Sequence, residues 1–298
     1  MAVEGLAAPE ATDGDVAGHL QELVGHIRAG DYRLVRPSPN EITAERQAEL
    51  VKAGCIPGLA AALTRQDPRV RAFGAELVHL LTTNNPANRA ALGQAGVIPE
   101  LVRMLEAGAL EGAGDEVVRG SEEAAEALWI LAFNGGSNHE AFTRHGAAAA
   151  LAELALRSPS AKGRMWAGAA MGNLAAAYGN VPSETSEGVR KLLVEHPGLI
   201  DALVSMVGRG PAQPGVEEDQ WPSRAHTNVR FSESIIAWGA GQALKNLALS
   251  PLAHEPIRRA NGVRALCRLK ESPDWLEKMK AEMTLGNLRA DCGSLSDL

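Results

Sequence analysis

Asn85–Leu105, NPANRAALGQAGVIPELVRML, and Ser137–Arg157, SNHEAFTRHGAAAALAELALR, are two versions of one phrase. Each has a short polar start, an apolar pair, a Gly and then a second apolar run. The same junction of helix end, Gly and new apolar run recurs at Gly54, Gly96, Gly146, Gly198 and Gly262, in steps of 42, 50, 52 and 64 residues. The shortest step reads as a bare repeat, and the longer ones as that repeat with insertions.

Apolar residues in these runs fall three and four apart, as in GHLQELVGHI, AEALWILAF and GQALKNLAL, and no stretch alternates with period two. The spacing predicts an all-α chain. A second marker keeps phase with the first. RQDPRVRAF, LRSPSAKGRMW and KESPDWLEKM each place Asp or Ser before Pro and then a helical run, predicting a capped helix with Pro at its first position. Pro159 and Pro273 each stand fourteen residues before an Asn, Asn173 and Asn287.

Composition excludes several classes of function. The 298 residues are 45% hydrophobic with a mean hydropathy of -0.10, and no uninterrupted apolar run reaches spanning length, so no membrane insertion is expected. Net charge is -7 and no Lys/Arg cluster is interleaved with aromatics, which disfavours nucleic acid as a partner. The opening MAVEGLAAPEATDGD carries four acids and no base, and residues 1–14 read as a disordered leader rather than a targeting segment. Three scattered cysteines, Cys55, Cys267 and Cys292, suggest free thiols in a reducing compartment, cytoplasmic or nuclear, with Cys55 and Cys267 as small core residues.

These units resemble armadillo repeats. AGVIPELVRML and AGCIPGLAAAL are similar to the family's Gly-to-second-helix segment, NNPANRAALGQAG to its inter-unit link, and AMGNLAAA, ALKNLALS and TLGNLRAD to the end of its long third helix. HEAT-like packing is the competing arrangement at this period. The resemblance implies a right-handed armadillo-type α-solenoid of about five repeats, with an N-terminal helical cap, over residues 15–290 and a C-terminal tail at 291–298. It further implies that the third helices line a concave groove.

The same resemblance gives third-helix asparagines a role in binding the backbone of an extended ligand, since an amide both donates and accepts. Asn173, Asn246 and Asn287 hold that position; satisfying a local helix end is the other role open to them. Leu80 and Ile130 stand there in the first half, and the Trp that importin-type grooves place four residues earlier is replaced by Glu76, Glu126, Ala169, Gln242 and Met283. The chain departs from the importin-alpha pattern.

Trp166 lies seven residues before Asn173 and shares its helical face, which places it in the groove as a ligand contact. Trp129 and Trp238 either flank the groove or fill gaps between third helices, and Trp275 is expected to fill such a gap. Glu76, Glu123 and Glu126 are expected near the groove, favouring a partner segment with basic residues. Insertions near 108–121 and 208–231 fall between second and third helices. The second carries Trp221 and acts either as a lid or as a disordered loop.

Signals for catalysis are poor. GAGDEVVRG and WGAGQALKN lack the third Gly of a dinucleotide loop, His139 and His145 read as surface residues, and no metal-ligand or nucleophile motif stands out. The expected function is a non-enzymatic adaptor or scaffold, without cofactor or metal, holding an extended or helical protein segment in the groove. The alternative is a structural subunit of a larger assembly that uses its convex face and insertions. The sequence leaves the oligomeric state undefined.

Overall fold

The computed structural model describes residues 43–134, 136–178, 183–208, 233–272 and 274–292. The expected leader, the helical cap, most of the second insertion with Trp221, Pro273 and residues 293–298 lie outside them. The described residues form fifteen α-helices and no strand. The helices fall into five triplets: α1 (Ala44–Lys52), α2 (Cys55–Leu63) and α3 (Pro68–Thr82); α4 (Pro86–Gln94), α5 (Val97–Gly108) and α6 (Asp115–Ala132); α7 (His139–Arg144), α8 (Ala147–Arg157) and α9 (Ala161–Ala175). The last two triplets are α10 (Ser183–Glu195), α11 (Leu199–Gly208) and α12 (Glu233–Leu247), then α13 (His254–Arg259), α14 (Gly262–Leu269) and α15 (Trp275–Leu288).

The recurring Gly is a left-handed joint between first and second helices. Gly54, Gly96, Gly146 and Gly198 have φ of 81°, 80°, 68° and 75°, a region that costs most side chains their Cβ clearance. The fifth joint corrects the expectation placed on Gly262. Asn261 takes the left-handed turn at φ 61°, and Gly262 opens α14 where a Cβ would come within 2.4 Å of Ile257. Asn tolerates that backbone region, whereas the packing at the next position admits only hydrogen.

The Pro marker also needs correcting. Pro68 does occupy the first turn of α3 behind its N-cap Asp67, whose carboxylate accepts from Arg69 N at 2.9 Å. In α9 the cap is Ser160, accepting from Gly163 N, so Pro159 precedes the cap; in α15 the cap is Asp274.

Each second helix buries an apolar stripe, as Val97, Ile98, Leu101, Val102 and Leu105 do in α5, and the third helices cover these stripes to make one core along the chain. A fully buried side chain such as Leu101 contributes about 1.5–3 kcal/mol. Side chains from each following first helix then satisfy the last carbonyls of the third helix before it. Asn88 donates to Leu81 O at 2.9 Å and Arg89 to Thr82 O at 3.2 Å, sealing α3. Asn138, at the N-cap of α7, donates to Leu131 O of α6, Arg190 to Ala175 O of α9, and His254 Nε2 lies 3.0 Å from Ala248 O beyond α12.

The first expected insertion is mostly helix. Only residues 109–114 separate α5 from α6, and the remainder lengthens α6 to 18 residues. Trp275 is 68% exposed rather than packed between helices, because it lies in the first turn of the last third helix, past which none stacks among the described residues. His139 is the converse case. It is buried beside Phe142 with neither ring nitrogen bonded, and burial holds its pKa below the usual value. Cys55 is a free core thiol, pushed up to about 11 by burial. Cys267 and Cys292 are joined as a disulfide, against the expectation of free thiols, so the cysteine count gives no guide to compartment.

Candidate functional site

The third helices α3, α6, α9, α12 and α15 stack side by side in chain order, and three of them bring an aromatic cluster together. Trp129, Trp166 and Trp238, all half-buried, come from three successive members. Their ring centroids are 4.9 Å apart for Trp129 and Trp166, 6.2 Å for Trp166 and Trp238 and 6.4 Å for Trp129 and Trp238, the last two pairs edge to face. Such contacts add about 0.5–1.5 kcal/mol each beyond the area they bury. The indole N–H of Trp166 is buried in this cluster without an acceptor.

Two basic side chains of the protein itself lie against this cluster. His79 of α3 stacks on Trp129 at 6.4 Å and lies 3.7 Å from Glu126. Lys280 of α15 stands 4.0 Å over the Trp238 ring and donates to Trp238 O at 3.1 Å. Burial, with the charge of Lys245 added, lowers the Lys280 amine to about 7.

The acidic residues meet a cation at the α6–α9 junction. Lys162 of α9 lies 3.0 Å from Glu123, 3.7 Å from Glu126 and 3.9 Å from Glu122, with a side chain only 10% exposed. Ser160 donates to Glu122, whose carboxyl burial nevertheless raises above its usual range. Glu76 is buried in α3 rather than presented to solvent. Lys162 was missed in the sequence because its three partners lie on the preceding third helix, about forty residues away.

The asparagines bind between helices. Asn173 Nδ2 donates to Trp129 O at 2.9 Å, Asn246 to Gly172 O at 2.7 Å and Asn287 to Lys245 O at 3.1 Å. In each case the acceptor stands one residue before the equivalent position in the preceding third helix. Asn173 Oδ1 also accepts from the Tyr178 hydroxyl. At the junction where Ile130 replaces Asn, the corresponding carbonyl of His79 is met instead by the hydroxyls of Thr82 and Thr83, at 3.1 and 2.9 Å. One donor of each amide therefore bonds the preceding third helix rather than its own helix end.

Glycines set the approach of α9 and α12. A Cβ on Gly168 would meet the Gly239 backbone at 2.7 Å, and one on Gly239 would meet Met165 O at 2.2 Å. WGAGQALKN is thus the contact surface of a third helix. Its small residues bring two backbones together and hold Trp166 beside Trp238.

Five consecutive triplets with left-handed joints, a row of long third helices and helix ends sealed by the next unit define the architecture. This is an armadillo-type fold. An engineered protein of solved structure aligns with it at a TM-score of 0.65 and 23% identity, over 92% of this chain and 96% of its own. A designed armadillo repeat protein aligns at 0.63 and 19%, over 92% and 98%. A second one, solved in complex with the peptide (KR)4, aligns at 0.61 and 18%, over 93% and 100%. No protein-family model and no curated protein matches the chain. Among the described residues of this armadillo-type chain, no helix is long and apolar enough to cross a membrane.

Proposed function

We propose that this solenoid is a non-enzymatic protein-binding scaffold that holds an extended or helical segment of a partner against the row of third helices. One observation supports the reading above the rest: Trp129, Trp166 and Trp238, from three successive third helices, meet in one partly exposed aromatic cluster. Aromatic anchors of this kind supply much of the energy of protein interfaces, up to about 2 kcal/mol or more for a central Trp. The bound (KR)4 peptide of the designed neighbour makes a basic segment one candidate ligand for this chain. Such a segment would reach Glu126 only in competition with Lys162 and His79, so the aromatic faces carry more of the proposal than the acids do.

The test compares proteins captured by the wild type with those captured by Trp166→Ala, after equal helical content and melting have been established. Loss of a partner in the variant, with that partner quenching or shifting the wild-type tryptophan emission, supports the groove. A partner set unchanged by the substitution rejects it and favours assembly through the opposite face and the inserted segments.

A further inference from the structure

At the C-terminal ends of α12 and α15, these two helices and α13 leave an open groove of about 410 Å3. Leu249 and Pro251 border it after α12, His254 and Arg258 from α13, and Asn287 and Arg289 from the end of α15. In earlier units the first helix of the following triplet fills the space at the end of the third helix. Asn138 donates there to both Leu131 O and Arg89 O, and the Arg89 guanidinium lies 5.9 Å over the Phe133 ring. After α15 the chain instead turns at Arg289, φ 51°, toward Cys292 and its bond to Cys267 in α14. Arg258, from the same triplet, donates to Leu288 O at 2.5 Å.

The exposed groove is cationic and half apolar. Arg258 and Arg289 are exposed, His254 stands beside them, and among the described residues no carboxylate lines the groove. Leu249 is 45% exposed on the same surface. A guanidinium offers five N–H donors, so Arg258 keeps donors free after its bond to Leu288 O, and the guanidinium fork matches a carboxylate. The aliphatic wall of Leu249 and Pro251 beside the two guanidinium groups favours a peptide carrying both carboxylate and apolar side chains over nucleic acid.

We propose that this groove docks an acidic segment of a partner protein, with a carboxylate against Arg258 and Arg289 and a neighbouring aliphatic side chain against Leu249. The site is distinct from the tryptophan cluster and stands whether or not that cluster binds a ligand.

The probe is a fluorescein-labelled octapeptide alternating Glu and Leu, titrated against the full chain by anisotropy, with its Gln-for-Glu counterpart as control. The Glu peptide is expected to bind more tightly than the Gln peptide and to weaken as salt rises. Arg289→Glu, at an exposed position, is expected to melt with the wild type and to lower affinity roughly five- to tenfold. Trp166→Ala is expected to bind the probe normally. Equal binding of the two peptides, no binding of either, unchanged affinity in Arg289→Glu, or loss in Trp166→Ala would each overturn the proposal. So would tight binding of a labelled single-stranded DNA oligomer that Arg289→Glu abolishes.

Discussion

The α6–α9 and α9–α12 junctions join equivalent helices by opposite means. Between α6 and α9 the gap is filled by charge, with Lys162 set among Glu122, Glu123 and Glu126 and Ser160 bonded to Glu122. Between α9 and α12 the gap is removed, because Gly168, Gly172 and Gly239 let the two backbones touch. The asparagine bond to the preceding helix is present at both, from Asn173 and from Asn246. A repeat architecture therefore fixes the register of its third helices and leaves their separation to local chemistry.

That contrast is open to direct attack. The largest effect is expected from Lys162→Met, which removes the cation shared by Glu122, Glu123 and Glu126 and should cost about 3–5 kcal/mol of unfolding free energy in urea. The deficit should shrink on acidification, because burial already favours the protonated form of Glu122. A loss that is small, or unaltered by acid, would show that the charges do not hold this junction.

Gly239→Ala comes next. Its methyl would meet a backbone oxygen, and forced separation of α9 and α12 should cost about 1–3 kcal/mol. The paired control is Gly241→Ala, whose Cβ meets only Lys280 side-chain carbons at 3.7 and 3.9 Å. It should be neutral, or stabilising by up to about 1 kcal/mol through helix propensity. Equal effects at the two positions would refute close backbone approach as the device at this junction.

Per pH unit, the smallest effect concerns Lys280 beside the tryptophan cluster. Its folded pKa of about 7 lies below the usual lysine value of 10.5, so the unfolded chain binds more protons between those limits. Stability should therefore rise as pH increases from neutrality toward 10.5, by at most about 1.4 kcal/mol per pH unit. Lys280→Met should lack that rise, which thermal melts across the range would detect.

Much of the architecture was legible because its signals are local. The left-handed joints favour Gly, and four of the five have it; the fifth uses Asn261, whose short polar side chain tolerates that turn. Helix periodicity and the phase of the asparagines followed from the same short spacings. The site was only partly legible. Trp129, Trp166 and Trp238 could be placed on third helices, but their mutual contacts depend on how far apart those helices stand. That distance is set by glycines at 168 and 239, more than seventy residues apart in sequence. The pairing of Lys162 with the α6 carboxylates, and of Cys267 with Cys292, likewise depends on distant segments meeting.

The seals at the third-helix ends make the solenoid vectorial. Each unit is completed by material that follows it: α3 by Asn88 and Arg89, α6 by Asn138, α9 by Arg190 and α12 by His254. A nascent chain thus finishes a unit only when the next first helix has been made. Trimming from the N-terminal side removes acceptors along with the unit they belong to, whereas trimming from the C-terminal side strands carbonyls on whatever remains. The natural breakpoint for a shorter fragment is therefore after a first helix, at Gln94 for example, and not after a third helix at Thr82.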